Sequence, residues 1–528
     1  MPTRSTSSSY RGLARVVPIV AVLLLAAALR FVDLERVPPG LNVDEALHAY
    51  EAFSILRTGR DEWGRVFPVT FRAFNDFRRP LAIYSAVPFV AIYGLTVYAI
   101  RAMAAFWGWL AVVLTYRLAS DLFGQRVGLA SALLITLSSW HVGFSRLGVE
   151  ASGPLLPALL AGLICGWRWY RTQRRQTLVL AGLFLALALY AYTVAQALVP
   201  LLLGGIALVF WSPLRRDLRG AAMAVVIMAV VAAPLVVAIA TNPVTWNRLD
   251  AISVFAGPDV NGRRLALEQW LGHFAPRYLF LAGDASIIHH IQGYGQLYWV
   301  EMLLVPLGLV GLFRHNRDAR AGLLVLLWLA TAAVPAALTR QDMGSANSMR
   351  GIAGAAAWAI VSGAGLALPA RAFRRTPRVG AALSGLLIGA LLWNARGVLQ
   401  RYFTVYPIEA ARAFEYGIAQ AMDYVVAQED EVGTVVLTDW ISQPHIFAVV
   451  FTRMEPAEFQ RTHAPYGDRL SEKLAAWGSR YRAGDAVTLY DQLEHGLFVV
   501  RPHMLEGVGA EFTVLHPDGT SAFKVIRK

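Results

Sequence analysis

Apolar runs of helical length, divided by short arginine-rich hinges, set the pattern of most of this chain. A helix that crosses a bilayer needs about 20 apolar residues, within a range of about 17–25. Runs of this kind lie near residues 16–32, 101–119, 126–140, 152–169, 177–193, 195–211, 220–240, 298–313, 321–339, 351–369 and 379–396. They predict about eleven transmembrane helices. Basic residues concentrate in the cytoplasmic loops of polytopic proteins. That rule puts "RGLAR", "WRWYRTQRR" (167–175), "PLRRDLR" (213–219), "FRHNRDAR" (313–320) and "RAFRRTPR" (371–378) inside. The alternation then closes, with 33–100, 141–151, 241–297, 340–350 and everything after 397 on the outer face. One further apolar stretch, 81–100, cannot cross without moving 167–175 outside. It reads as a juxtamembrane or re-entrant helix broken near Pro88 and Gly94, within a first outer loop spanning 33–100; the alternative is an ordinary span that overrules the local charge bias.

After residue 397 the pattern changes. "TVVLTDW", "HIFAVVF", "AVTLYDQ", "GLFVVRP" and "EFTVLHP" read as short strands, "IEAARAFEYGIAQAMDYVVAQ" as helix, and "HPDGTSAFKV" carries an Asp-Gly hairpin signal. The chain therefore divides into a membrane domain, 1–400, and a soluble extracytoplasmic α/β domain, 401–528.

Composition agrees with a polytopic membrane protein: 56% of the 528 residues are hydrophobic and 16% charged. The formal charge of +13 lies in the hinges between apolar runs, which disfavours nucleic acid as a partner and points to membrane lipid. Cys165, the single cysteine, permits no intrachain disulfide. The run after Arg15 has no A-x-A-like cleavage site and reads as a retained anchor.

Charged residues gather in the outer loops. "PPGLNVDEALHAYEAF" (38–53) places Asp44 and Glu45 at the start of a helix, where Asp44 also reads as a helix N-cap. "FNDFRRPLAIY" adds Asp76, Arg78 and Arg79, and "FSRLGVE" adds Arg146 and Glu150, which could pair on one turn. Asp284, His289 and His290 follow, then Arg340, Asp342 and Arg350. Ionisable groups at membrane depth mark functional sites. A carboxylate can take a proton from an attacking hydroxyl, and guanidinium groups can stabilise a departing phosphate. Glycosyl transfer from a lipid phosphate needs both at the headgroup plane.

The chain resembles the GT-C superfamily of membrane glycosyltransferases, in the branch of the protein O-mannosyltransferases and the lipid A aminoarabinose transferase. The resemblance covers most of residues 10–400. It rests on "NVDEALHAYEAFSILRTG", on "RRPL", similar to the family's Lys-Pro-Pro-Leu, on "AIRAMAAFWGWLAVVLTYRLASDLFG" and on "FSRLGVE". It implies a first outer loop of juxtamembrane helices, Asp44 as the catalytic carboxylate, and Glu45 orienting it or binding acceptor. Arg79 stands where the family has a lysine near the lipid phosphate, and Glu150 matches a later acidic position. Arg78, Arg146, His289 and Arg350 complete the expected substrate-binding set. Two departures stand out. Only Pro80 follows Arg79, and Ile288 replaces an arginine before His289.

These readings converge on an inverting transferase moving a sugar from a polyprenyl-phosphate donor to an acceptor hydroxyl at the outer face of the cytoplasmic membrane. The acceptor, whether glycan, lipid or protein, is not specified. No metal ligands are assigned, and a divalent cation is left open for Asp44, Glu45, His48 and Glu150. A transporter or lipid flippase, or an inactive GT-C-like scaffold, are the alternatives. Clustering of charge at one face and the lack of matching halves weigh against transport.

Overall fold

The computed structural model describes residues 6–74, 76–242, 252–256, 261–340, 346–428, 431–465 and 474–528. The helices of the first half are α1 (Thr6–Phe31), α2 (Val43–Thr58), α3 (Pro80–Tyr93), α4 (Val97–Phe123), α5 (Gln125–Leu137), α6 (Ser139–Phe144), α7 (Leu155–Thr172), α8 (Arg175–Leu189), α9 (Ala195–Val209), α10 (Trp211–Arg216) and α11 (Leu218–Ala240). Helices Glu301–His315, Ala319–Ala332, Ala355–Ala372 and Pro377–Thr404 follow. Each apolar run named above is thus helical. Six helices among the described residues are long and apolar enough to cross a bilayer. Several shorter apolar helices, α5, α8 and α9 among them, pack with them. The molecule is a multi-pass membrane protein.

Helices Glu301–His315 and Ala355–Ala372 cross in close backbone contact. A Cβ on Gly308 would lie 2.0 Å from the Val361 carbonyl oxygen, and one on Gly365 would lie 2.1 Å from that of Leu304. Without a hydrophobic force between helices in lipid, such backbone approach is a main source of cohesion. In contrast, the apolar windows of α11 and Pro377–Thr404 are only 11% and 22% buried, so their side chains face lipid.

The stretch 81–100 is divided differently from the expectation. α3 has 14 residues, about 21 Å at 1.5 Å per residue, against a hydrocarbon core of about 30 Å. It ends at Gly94, whose φ of 73° suits glycine, and Thr96 then caps α4, so residues 97–100 open a long spanning helix. Pro88 lies inside α3 without ending it.

Two strands, β1 (Phe71–Ala73) and β2 (Asp76–Arg78), form an antiparallel ribbon ahead of α3. Seven more form the C-terminal sheet: β3 (Val435–Thr438), β4 (Ala464–Pro465), β5 (Leu474–Trp477), β6 (Tyr481–Gly484), β7 (Leu497–Val500), β8 (Phe512–Leu515) and β9 (Ser521–Arg527). Their order is β4-β5-β6-β3-β7-β9-β8, with β3 parallel to β6 and β7 and the remaining pairs antiparallel. Three expected strands are β3, β7 and β8, and the Asp-Gly signal turns β8 into β9. "HIFAVVF" and "AVTLYDQ" are instead helices, Pro444–Phe451 and Ala486–Gln492. Pro444 at the first helical turn and Asp485 as N-cap start them, overriding their strand-like composition. The expected long helix after residue 408 is reduced to Ile418–Ala427 behind Gly417, and helix Pro377–Thr404 runs through the expected boundary at 400.

The segment 33–100 and the C-terminal α/β domain share one hydrophobic core, in which Leu47, Tyr50 and Ile83 pack with Ile446, Phe447 and Phe459. Polar contacts tie the same surfaces. Tyr50 donates to the Met454 carbonyl at 3.2 Å, Gln460 Nε2 to the Asp61 carbonyl at 2.9 Å, and Arg57 pairs with Glu455 at 3.0 Å. Beneath them Glu51, Asp61 and Glu62 are buried together. Burial, reinforced by Asp61, pushes the Glu62 carboxyl up to about 8 from 4.5, and burial with Glu62 raises Glu51 as well.

Two outcomes follow from this arrangement. Between pH 4.5 and about 8 the folded chain holds a proton on Glu62 that the unfolded chain has released. Its stability contribution is therefore complete below 4.5 and is lost as pH rises through 8. The melting temperature in detergent should fall from pH 6 to pH 9, and Glu62→Gln should flatten that slope. Second, in a Cys165→Ala background, single cysteines at Gln173 and at Trp440, which is 64% exposed, should label from opposite faces of sealed membranes. Labelling from one face would break the threading.

Candidate active site

Asn42, not Asp44, caps α2. Its side chain accepts from the Asp44 amide at 2.9 Å, and Glu45 returns the bond to the Asn42 amide at 3.0 Å, a reciprocal capping box. Asp44 is thereby left in the first turn with its carboxylate free of capping duty. Glu45 is fully buried against Arg101 of α4, with Oε1 to Nε 2.9 Å and Oε2 to Nη2 3.0 Å. Arg101 donates its other protons to the carbonyls of Leu34, Pro38 and Gly40 at 2.7–2.8 Å, so all five of its N–H groups are used. Glu45 also accepts the Gly148 amide at 2.9 Å, while His48 Nδ1 donates to the Gly148 carbonyl at 2.9 Å. Burial holds His48 neutral, its pKa lowered to about 4 from 6.5. Both side chains stitch α2 to the segment that carries Glu150.

Arg146 departs from the expectation for it. It is fully buried and donates to the carbonyls of Leu29, Arg30, Val32, Asp33 and Val37, with its guanidinium 4.9 Å from the Phe403 ring centroid. It caps the C-terminal end of α1 rather than facing substrate or pairing with Glu150. Arg30 plays a matching part, binding the Ile135 carbonyl at 3.0 Å and His141 Nδ1 at 2.8 Å.

The open face of the site is built by Asp44, Arg78, Arg79, Glu150 and Arg350. Arg78, at the end of β2, donates to Asp44 Oδ1 at 2.7 Å and approaches Asp76 at 3.7 Å. Asp44 Oδ2 makes no hydrogen bond among the described residues, and the side chain is 24% exposed. Glu150, almost fully buried, accepts the Arg79 amide and lies within the field of Arg78. Arg79 is 2% exposed and gives one side-chain hydrogen bond, Nη2 to Gln196 at 3.2 Å. Its Nε and Nη1 are buried without a partner, and so is Arg78 Nε. Burial works against the Arg79 charge and lowers its pKa.

Tyr192, between α8 and α9, is buried within the electrostatic reach of Arg350, Glu150, Arg78 and Asp44. Arg350 is held by Thr339 Oγ1 at 2.6 Å. His289 stands apart from this set. It rests 3.6 Å from Asp284, whose carboxylate takes the Ser348 amide and hydroxyl at 2.6 and 2.8 Å and falls to a pKa of about 2. Asp342 lies outside the described residues. Glu45 and His48 are committed to Arg101 and Gly148, and among the described residues no three acids, histidines or cysteines converge to hold a metal ion. Residues not picked out from sequence are Arg101, Gln196 and Tyr192. Arg101 carried a signal, since it is an arginine just inside a long apolar run.

Residues 78–239 match the family model described as dolichyl-phosphate-mannose-protein mannosyltransferase. Among solved structures, apo ArnT from Cupriavidus metallidurans is similar with a TM-score of 0.59 and 14% identity, over 97% of this chain and 98% of that one. The chain has the GT-C membrane glycosyltransferase fold. The same ArnT bound to undecaprenyl phosphate gives a TM-score of 0.57 at 15% identity, over 96% of this chain and 97% of that one. The archaeal oligosaccharyltransferase AglB from Archaeoglobus fulgidus, in complex with an inhibitory peptide and a dolichol-phosphate, gives 0.54 at 13% identity. That match covers 84% of this chain and 64% of AglB. No curated protein matches the sequence at a significant level. The matched family segment begins at Arg78, so the chain carries Arg78, Arg79, Arg146 and Glu150 inside it and the Asp44–Glu45 pair before it.

Removing one member of the buried pair leaves a charge in the GT-C interior with nothing to balance it. Arg101→Leu should lower unfolding stability by about 3–5 kcal/mol in denaturant titrations, and adding Glu45→Gln to it should recover part of the loss. Asp44→Asn, partly exposed, should leave the melting temperature close to the parent's.

Proposed function

We propose that the chain is an inverting glycosyltransferase that moves a sugar from a polyprenyl-phosphate donor to an acceptor hydroxyl at the outer face of the membrane. The observation that carries the reading is the Arg79 guanidinium, buried next to Arg78 and in the field of Glu150, with two nitrogens unpartnered. A buried cation with free donors calls for an anion, and a phosphate monoester or diester supplies oxygens at matching spacing. The undecaprenyl phosphate of the similar ArnT structure and the dolichol-phosphate of AglB support a lipid-linked phosphate as that anion.

In this scheme Arg79, with Arg350 across the space, binds the donor phosphate. Asp44 Oδ2 accepts the proton of the acceptor hydroxyl as its oxygen bonds to the anomeric carbon. The bond from that carbon to the phosphate oxygen breaks, and the leaving phosphate keeps the electron pair beside Arg79. Arg78 fixes Asp44 Oδ1 and sets the direction of the free lone pairs. Glu150, through the Arg79 amide, positions the arginine. Glu45 orients α2 from behind. The α/β domain, sharing a core with α2 and α3, covers the site and guides the acceptor.

Transfer from radiolabelled polyprenyl-phosphate sugars in purified membranes tests this. Asp44→Asn should lower kcat by about 10²–10⁴-fold with the fold retained. Arg79→Gln should raise the KM for donor. An Asp44→Asn variant that folds and transfers at the parental rate would remove Asp44 as the base.

A further inference from the structure

We infer that the end of the helical domain opposite the site holds an anionic phospholipid by its phosphodiester head group. α4 separates the two ends. Its 27 residues, Val97–Phe123, span about 40 Å, with Arg101 in the first turns and Phe123 at the far end. Beyond Phe123 a cleft of about 660 Å³ opens between the α4–α5 turn and the hinge between helices Ala355–Ala372 and Pro377–Thr404. Arg126, Arg371, Arg374 and His315 line it, and no carboxylate does.

The acids of this end are engaged elsewhere. Asp121 takes Arg117 and Arg168, Asp217 takes Arg175, and Asp318 takes Arg320. Arg126 and Arg374 make no hydrogen bond or ion pair among the described residues. Arg371 makes one long contact, 3.5 Å to the His315 carbonyl. Three guanidiniums thus share a cavity with no counter-charge, and guanidinium matches phosphate oxygens in pairs.

Two sources could supply such a phosphate, a lipid or a soluble anion. The walls favour lipid. Helix Pro377–Thr404 borders the cleft through Pro377 and Ala381, and its apolar window is only 22% buried, so the cleft opens beside a lipid-facing helix. Basic pockets between helices at the cytoplasmic side have the chemistry of anionic head-group sites. This inference does not depend on the transfer reaction.

The test uses the full-length chain, delipidated in detergent, with bound lipid counted by native mass spectrometry. Dioleoyl phosphatidylglycerol should be retained at least tenfold over dioleoyl phosphatidylcholine, and millimolar inorganic phosphate should not displace it. The combined variant Arg126→Gln, Arg371→Gln, Arg374→Gln should reduce phosphatidylglycerol to the phosphatidylcholine level. Arg374→Gln alone, an exposed change that touches no contact, should give a several-fold loss and stands as the deciding variant if the triple does not fold. Equal retention of the two lipids, or unchanged retention in these variants, overturns the inference. Displacement by inorganic phosphate also overturns it, since the cleft would then belong to a soluble anion.

Discussion

The site depends on one buried ion pair. Arg101 enters an apolar helix where an unpaired guanidinium would be costly by several kcal/mol, and it remains there because every donor is met. Three of those bonds go to carbonyls of residues 34–40, the irregular segment between α1 and α2, which lies where water cannot satisfy it. The other two go to Glu45, the neighbour of Asp44. A single side chain therefore sets the path of the loop, the start of α2 and, one residue away, the position of the proposed base. Arg146 repeats the solution on the carbonyls at the end of α1. Together they make a rigid rim from irregular backbone.

Much of the membrane domain was legible because lipid imposes a simple rule. Every apolar run long enough to span is helical, and α3 was visible as a separate apolar stretch. Its true end at Gly94, with 97–100 going to α4, was not, because apolar composition continues unbroken across the turn. The tail was read less well for a related reason. "HIFAVVF" and "AVTLYDQ" hold the β-branched and aromatic residues of strands, yet a proline at one start and a capping aspartate at the other made them helices. Local start signals outweighed composition where burial satisfied either shape.

In the site, residue type was legible and residue role was not. Sequence offers Arg78, Arg79 and Arg146 as equivalent charges near one surface, and Arg101 only as the start of an apolar run. Only their hydrogen-bond accounts separate them. Arg101 and Arg146 are saturated by backbone and carboxylate, so they cannot also bind substrate without releasing the loop they hold. Arg79 is as buried as they are but keeps donors unmet. Likewise Asp44 and Glu45 are adjacent in sequence but point to different faces, since successive helical positions differ by about 100°. Glu45 goes to the core and the capping box. Asp44 goes to Arg78 and the open space.

The same accounting applies at the opposite end of the helices, and it gives a consistent rule for charge in this chain. Arginines paired with Asp121, Asp217 and Asp318 brace the hinges of that face, whereas Arg126, Arg371 and Arg374 have a cavity and no acid. Within the net charge of +13, the cleft gathers Arg126, Arg371 and Arg374 without a carboxylate, whereas the proposed site sets Arg78, Arg79 and Arg350 against Asp44, Asp76 and Glu150. The proposed site adjoins a carboxylate with a free oxygen and so has the means for chemistry. The cleft adds to its guanidiniums only His315, whose Nε2 is taken by the Ala364 carbonyl.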